Sequence, residues 1–146
     1  MEVKVKYWFL FLTVLMCQES GTRSEREWLE KLGRDRYDIM RKKGTEHAHL
    51  GKYVNRWGQG IYSCAACSLP LFEGKDKYNA HNGYPSFTKP VAKTNVYYEE
   101  DWSLPFKRYE VLCSCCHSHL GHVFNDGPPP KQLRYCINSL SLEYTD

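Results

Sequence analysis

LCSCCHSHLGHVFNDGPPPKQLRYCIN, residues 112–138, is the stretch on which the interpretation of the chain depends. It contains a C-x-x-C pair, an H-L-G-H motif and an R-Y-C-I-N segment, at Cys113 and Cys116, 119–122 and 134–138. A second C-x-x-C pair, Cys64 and Cys67, lies far upstream. Because the pairs account for four thiols, Cys136 is left over beside basic and imidazole groups, where thiol chemistry is expected.

The two cysteine pairs predict a structural zinc site. Each pair presents two thiols at a spacing that lets both reach one ion from a tight turn, and four thiolates in a tetrahedron form a closed site. The expected ligands are Cys64, Cys67, Cys113 and Cys116. Two alternatives stay open, disulfides and a redox pair of the thioredoxin type, although no βαβ pattern surrounds either pair. Cys115 is the spare cysteine here.

Length and composition indicate one domain of ordinary charge. The chain has 146 residues, a net charge of +3 and 25% charged residues, and its basic residues alternate with acidic ones. Nucleic acid is therefore not an expected partner. Aromatic residues make up 14% of the chain, mostly tyrosine, which favours strands over a long helical bundle.

The first residues predict a secretory leader. Lys4 and Lys6 precede an apolar run at 7–16, and polar residues follow. This order is typical of a signal peptide, which we place at residues 1–17, with cleavage as late as about residue 21. The run is too short to span a bilayer, which needs roughly 20 apolar residues, so no stable membrane insertion is expected. The expected location is the secretory pathway or the cell exterior, or the cytoplasm if the leader is not functional; an uncleaved anchor and a mispredicted start codon are the alternatives.

Two short helices are expected next, in a domain that we place at residues 24–146. Ser24 and Glu27 have the spacing of a capping box, and the helix that they start ends before Gly33. A second helix is predicted over 34–43, with Gly44 as its stop.

After Gly60 the pattern changes to short strands separated by Gly, Pro and Asn. The predicted strands are 61–64, 69–72, 95–99, 109–113, 122–125, 134–138 and 140–144. The last is the clearest, because Leu140, Leu142 and Tyr144 alternate with polar residues and predict one inward face. The domain is therefore predicted to be mainly β.

Cys136 is the candidate nucleophile. Alternation along its strand puts Arg134, Cys136 and Asn138 on one face, and a guanidinium beside a thiol favours the reactive thiolate. His119 and His122 lie three apart in what we predict to be a loop that Gly121 makes flexible, and they could donate protons at neutral pH. An inert core cysteine and metal-binding or structural histidines are the alternatives.

Seven segments together resemble the B-type methionine-R-sulfoxide reductases. They are G-T-E at 44–46, G-I-Y at 60–62, P-L-F at 70–72, G-Y-P-S-F at 83–87, the run from C-x-x-C to H-L-G-H-V-F at 113–124, D-G-P at 126–128 and R-Y-C-I-N-S at 134–139. The resemblance covers roughly residues 27–144, and the combination is far more specific than any one segment.

This resemblance implies a fold of two antiparallel sheets with short helices, and an activity. Cys136 would attack the sulfur of an R-epimer methionine sulfoxide in an oxidised protein and become a sulfenic acid. The implied site residues are catalytic Cys136, His119, His122, Asn138 and Arg134, substrate-binding Tyr84, Phe87 and Phe124, and the four zinc ligands. The implied cofactors are one structural Zn²⁺ and an external thiol reductant such as thioredoxin, and we expect a monomer.

The chain departs from the family pattern in two places. Asn82 stands where many members have a resolving cysteine, so the sulfenic acid would be reduced by thioredoxin, by another thiol or through Cys115. Tyr84 replaces the usual tryptophan that forms the wall of the substrate pocket, unless Tyr84 and Phe87 are ordinary core aromatics. The competing interpretation is a non-catalytic, zinc-stabilised β module that binds a protein partner.

Overall fold

The computed structural model describes residues 17–146. After helical residues 17–21 come helix α1 (Glu25–Leu32) and helix α2 (Arg34–Met40). The strands are β1 (Ile61–Cys64), β2 (Pro70–Glu73), β3 (Lys77–Tyr78), β4 (Ser86–Phe87), β5 (Val96–Asp101), β6 (Arg108–Cys113), β7 (His119–Phe124), β8 (Arg134–Ile137) and β9 (Leu142–Thr145). No helix within these residues is long and apolar enough to cross a membrane.

The strands form two antiparallel sheets. One has three strands in the order β2-β1-β9, and the other has six in the order β3-β4-β8-β7-β6-β5. Aromatic rings from both sheets pack together: Phe87 of β4 stacks on Phe72 of β2 at 4.5 Å, and Tyr62 of β1 meets Phe87 edge-on at 5.1 Å. The predicted fold class, mainly β with two antiparallel sheets, is confirmed.

The capping box predicted for the first helix is present. The Glu27 amide donates to Ser24 Oγ and the Ser24 amide donates to the Glu27 carboxylate, so two unpaired donors at the start of α1 are satisfied. Trp28 is buried under the guanidinium of Arg41, 4.6 Å from the ring centroid. The second helix ends at Met40, earlier than the predicted residue 43, and Lys43 already has a left-handed φ of 57°.

Three strand predictions need correction. The H-L-G-H motif is not a loop, because β7 begins at His119 instead of residue 122. The last strand begins at Leu142, since 139–141 form a 3-10 turn in which Ser139 and Ser141 are buried and Leu140 is not. The two-residue strands β3 and β4 were not predicted, because two residues are too few to show any alternation.

A β-bulge in β7 brings the two histidines to one side of the sheet. Val111 pairs with Gly121 but the next residue, Leu112, pairs with His119, so Leu120 is the extra residue. Without it, residues three apart would face opposite sides of a strand. Gly121 is needed for close approach and not for flexibility, since a Cβ there would collide with the backbone carbonyl of Cys136.

Candidate active site and metal centre

The four paired cysteines converge on one point between the two sheets. Cys64 ends β1 and Cys113 ends β6, and each is followed by a tight turn that carries the second thiol of its pair. The turns match: the Ser68 amide donates to the Cys64 carbonyl and the His117 amide to the Cys113 carbonyl, and both donor residues have φ near +60°. The two C-x-x-C segments therefore form two equivalent turns, each of which presents two thiols to the same point.

These four thiols fit a tetrahedral zinc site. All four are buried and free, and their sulfurs lie within 4.8 Å of one another. The Cys64 and Cys116 sulfurs are 3.6 Å apart and those of Cys67 and Cys113 are 3.5 Å apart. A tetrahedron with Zn–S bonds of about 2.3 Å has edges of about 3.8 Å, so the separations suit one ion and are far too long for disulfides.

Cys115 is joined to Cys17 by a disulfide, which the sequence did not predict. The two Cα atoms are 4.8 Å apart, although the residues are separated by 98 positions. Cys115 therefore has no free thiol in this structure. Cys17 is the last residue of the expected leader, and the rest of that leader lies outside the described residues.

Cys136 opens into a cavity of about 240 Å³. Strand β8 lies between β4 and β7, which places Cys136 opposite Ser86 on one side and His122 on the other. The predicted site residues that line the cavity are Cys136, His122, Arg134, Asn138, Tyr84 and Phe124. A larger cavity of about 510 Å³ lies beside α2, but none of its lining residues is a cysteine, so the chemistry favours the smaller one.

The two histidines are held by carboxylates. His122 Nε2 is 2.7 Å from Asp101 Oδ2, and the same carboxylate oxygen accepts from the Arg108 guanidinium at 2.8 Å. His119 Nδ1 is 2.9 Å from the buried carboxylate of Glu110. The two imidazole rings are 5.5 Å apart between centroids.

His119 does not line the cavity of Cys136. It lines a neighbouring cavity of about 360 Å³, which shares Thr45, Arg108 and His122 with the first. Its Nε2 is buried and has no hydrogen-bond partner among the described residues. The pair of histidines therefore spans the boundary between the two cavities.

Burial and hydrogen bonding set the charges around these rings. Burial lowers the pKa of His122, and its contact with Asp101 only partly offsets that effect. The pKa of Asp101 is well below its usual range, mainly because its carboxylate accepts from Ser103. Burial raises the pKa of Glu110, but its contacts with His119 and Lys43 outweigh this, so it lies below the usual value. At neutral pH a neutral His122 thus faces an ionised Asp101.

The thiol of Cys136 is less acidic than the sequence suggested. Burial raises its pKa, and the guanidinium of Arg134 and the amide of Asn82 lower it by less than burial raises it. The charge of Arg134 is already shared with Asp126, which accepts from Nε at 2.7 Å and from Nη2 at 3.0 Å. As expected, the charge of Arg134 lowers the pKa of Cys136, but this effect is smaller than the rise that burial causes.

Asn82 points its amide nitrogen at the sulfur of Cys136. Its Nδ2 lies 3.8 Å from Cys136 Sγ, and its Oδ1 accepts from the Tyr84 backbone amide at 3.1 Å. Because the oxygen is used by Tyr84, the NH₂ group must be the end that faces the sulfur. The residue in place of a resolving cysteine is therefore a hydrogen-bond donor to Cys136.

Asn138 organises the floor of the cavity. Its Oδ1 accepts from the Glu46 amide at 3.1 Å and its Nδ2 donates to the Leu120 carbonyl at 3.1 Å. The Glu46 carboxylate in turn accepts from the amides of Ser139 and Leu140. This network joins residue 46, the bulge of β7 and the end of β8.

Two of the three predicted substrate-binding aromatics line the cavity, and the third lies in the core. Tyr84 lines the cavity, and its hydroxyl donates to the Glu46 carbonyl at 3.1 Å. Phe124 also lines it, under the Arg134 guanidinium at 4.3 Å. Phe87 is fully buried between Phe72 and Tyr62 and does not line the cavity, so its assignment to the substrate site is wrong. Its ring packs between the two sheets, which makes it a core residue.

Comparison with known proteins identifies the family. The sequence model described as the SelR domain matches residues 32–146. This chain belongs to the SelR domain family. The resemblance to the B-type methionine-R-sulfoxide reductases is thereby confirmed, and several curated relatives carry the corresponding name.

Three relatives of this SelR domain illustrate the similarity. "Peptide methionine sulfoxide reductase B1, chloroplastic" of Oryza sativa subsp. japonica is 47% identical over 125 residues, which are 85% of this chain and 58% of the rice protein. "Peptide methionine sulfoxide reductase MsrB" of Leptospira interrogans is 47% identical over 122 residues, 84% of this chain and 93% of the relative. The protein of that name from Azotobacter vinelandii is 50% identical over 115 residues, 79% and 86% of the two chains.

Sequence reasoning missed the residues that support the histidines of this SelR domain. Asp101, Arg108 and Glu110 lie on β5 and β6, and their roles depend on strand pairing: Asp101 pairs with Arg108, and Glu110 pairs with His122. No spacing rule links a carboxylate to a histidine on a neighbouring strand. Glu46 had a signal, since it belongs to the G-T-E segment of the resemblance.

Proposed function

We propose that this chain reduces the R epimer of methionine sulfoxide in oxidised proteins. The family and the names of its relatives support reduction of methionine sulfoxide. The observation that carries the assignment to this chain is the cavity in which Cys136 lies beside His122, Arg134 and Asn138. A binding module would not need to gather a free thiol and these polar groups around a side-chain-sized space.

The proposed chemistry is an oxygen transfer from sulfur to sulfur. The Cys136 sulfur bonds to the sulfoxide sulfur; the oxygen then moves to the cysteine sulfur as the original S–O bond and the new S–S bond break, so that methionine leaves and Cys136 becomes a sulfenic acid. The cysteine sulfur loses two electrons and the substrate sulfur gains them. Two external thiols then return the sulfenic acid to the thiol, releasing water and a disulfide.

Each polar group around Cys136 has a proposed part in that step. His122 and His119, acting with bound water, hold the sulfoxide oxygen; the neutral His122 first takes the proton of the Cys136 thiol through this water and then passes it to the oxygen as it leaves. Asp101 fixes the ring of His122, and Arg134 and Asn82 favour the thiolate against the effect of burial. Asn138 positions the end of β8, and Tyr84 and Phe124 form the apolar wall for the substrate methyl group.

We propose that one zinc ion, held by Cys64, Cys67, Cys113 and Cys116, is structural. The four thiolates would close its coordination shell, so the ion would supply stability and no chemistry on the substrate. The reductant is proposed to be thioredoxin or another thiol. Resolution through Cys115 would require exchange with its disulfide to Cys17, since Cys115 has no free thiol here.

We propose a monomeric enzyme domain at residues 24–146, preceded by a secretory leader. A disulfide is typical of an oxidising compartment, so in a chain that retains Cys17 the Cys17–Cys115 pair supports the secretory pathway or the cell exterior.

Turnover of separated R and S epimers of a blocked methionine sulfoxide tests the proposal. We expect reduction of the R epimer alone, with dithiothreitol and with thioredoxin as donors. Cys136→Ser is expected to abolish turnover while the melting temperature stays close to that of the wild type, because the thiol is a small part of the packing.

A folded, zinc-loaded protein that reduces neither epimer with either donor would support the binding module instead. Labelling with iodoacetamide at neutral pH provides a second measurement. If Cys136 reacts no faster than a buried thiol, it is not the nucleophile that the proposal requires.

A further inference from the structure

The connection between β5 and β6 exposes three large apolar side chains. Trp102, Leu104 and Phe106 are 64%, 41% and 58% exposed, and we call them the hairpin tip. Single exposed apolar residues are normal on a protein surface, but a cluster beside a cavity is typical of a binding site. The six residues from 102 to 107 hold three of the seven large apolar residues that are exposed within residues 17–146.

Polar contacts hold the hairpin tip and leave it without free charge. Asp101 accepts from the Ser103 amide and pairs with Arg108 at 2.8 Å. Glu100 accepts from the Trp102 indole nitrogen at 3.1 Å and pairs with Lys107 at 3.2 Å. Each charge at the base of the tip is therefore matched by an opposite one, so the surface favours an apolar partner.

The hairpin tip is continuous with the site. Trp102 lines the cavity of about 360 Å³ that reaches His119 and His122. That cavity shares His122, Arg108 and Thr45 with the cavity of Cys136. A substrate polypeptide that extends from Cys136 past His122 therefore reaches Trp102.

The size of the Cys136 cavity indicates what lies outside it. A volume of about 240 Å³ is below the usual range of roughly 300–1,000 Å³ for pockets that enclose a whole ligand. It suits one side chain, so the residues on either side of a methionine sulfoxide must lie on the surrounding surface.

We infer that the hairpin tip binds the polypeptide next to the methionine sulfoxide, with a preference for apolar residues there. This inference rests on the proposed function and adds a binding surface to it. The tip would make the enzyme select oxidised methionines that lie in exposed apolar stretches of a protein.

The test compares the wild type with the double variant Leu104→Ser, Phe106→Ser in the full chain, and measures the KM of each protein for two substrates. One substrate is N-acetyl-methionine sulfoxide, and the other is a peptide with leucine and phenylalanine on both sides of the sulfoxide. We expect the KM of the peptide to rise about tenfold, as for loss of a central apolar anchor. The KM of the blocked amino acid is expected to stay within about twofold, because neither residue lines the cavities.

Trp57→Ser is the matched control, since Trp57 is 49% exposed but lines neither cavity. It is expected to change neither KM. Equal losses for both substrates in the double variant would overturn the inference, because the tip would then act through His122. A third substrate, a peptide with serine and glycine on both sides of the sulfoxide, provides a further check. If its KM for the wild type equals that of the apolar peptide, the inference is also overturned.

Two further measurements identify other occupants. A concentration-dependent dimer that the double variant abolishes would make the tip a contact between two copies. Co-sedimentation with phosphatidylcholine vesicles that the double variant abolishes would make it a membrane contact. Either result would overturn the inference, whereas no detectable activity of the wild type on either substrate would refute the proposed function itself.

Discussion

At the scale of single residues, the charge on Cys136 depends on a balance that the sequence does not display. Alternation correctly places Arg134, Cys136 and Asn138 toward one cavity. The sequence does not show that Asp126 shares the guanidinium, or that burial outweighs its effect on the thiol. A neighbour in sequence predicts the direction of an electrostatic effect, while the fold decides its size.

Asn82 is a residue whose contribution to the thiolate can be measured directly. Asn82→Asp keeps the acceptor for the Tyr84 amide but replaces the donor beside Cys136 with a carboxylate oxygen. We expect the pKa of Cys136 to rise, because a neighbouring negative charge disfavours the thiolate. Labelling by iodoacetamide as a function of pH should show a higher midpoint and a several-fold slower reaction at neutral pH. Asn82→Ala removes the donor, together with the acceptor for the Tyr84 amide, but adds no negative charge, so it should show a smaller rise.

Asn79→Asp is the matched control for that experiment. Asn79 lies in the same connection, makes the same type of turn with the His81 amide at 2.9 Å, and is exposed. It adds the same charge without facing the sulfur, so the labelling midpoint should stay unchanged. An equal midpoint for Asn82→Asp and the wild type would show that the amide does not influence the thiol.

At the scale of elements, the main helices and strands follow from local patterns, and the site follows from pairings between strands. The capping box, the end of β1 and the cysteine turns were all predicted from spacing. The bulge at Leu120 was not, because an extra residue is defined only against the partner strand β6. For this reason the H-L-G-H motif was predicted to be a loop, although its histidines meet on a strand.

The paired cysteine turns should contribute most of their stability through the metal. Zinc binding contributes about 10–16 kcal/mol in small zinc domains, and that free energy is folding free energy. Cys64→Ser is therefore expected to lose bound zinc and several kcal/mol of stability, measured by elemental analysis and urea unfolding.

Cys136→Ser is the matched substitution, since it removes a thiol outside the cluster. It should retain one zinc per chain and a similar unfolding midpoint. A wild-type protein without zinc, or a Cys64→Ser variant as stable as the wild type, would contradict a structural metal.

At the scale of the whole molecule, the Cys17–Cys115 disulfide fastens the start of the described chain to the second cysteine turn. Cross-linking residues 98 positions apart restricts the unfolded chain, and such bonds typically contribute about 2–4 kcal/mol. Cys17→Ser is expected to lower the free energy of unfolding by that amount in the absence of reductant.

Cys115→Ser and the double variant should lose the same amount as Cys17→Ser, because all three remove one bond. Dithiothreitol should lower the free energy of unfolding of the wild type to that of these variants. Unfolding midpoints that do not differ between the wild type and Cys17→Ser without reductant would show that the bond does not stabilise the fold. This pairing could not be predicted from the sequence, since Cys17 lies in a predicted leader and outside the family match.

The same bond closes residues 17–115 into a covalent ring. A single backbone cut inside this ring opens it without releasing a fragment. Proteolysis between residues 17 and 115 therefore yields two pieces that stay covalently joined until the disulfide is reduced. A leader cut off after residue 17, or as late as residue 21, would stay attached to the enzyme through Cys17. A cut directly before Cys17 would instead leave the ring whole, and the processed enzyme would begin with one of its own cross-linking residues.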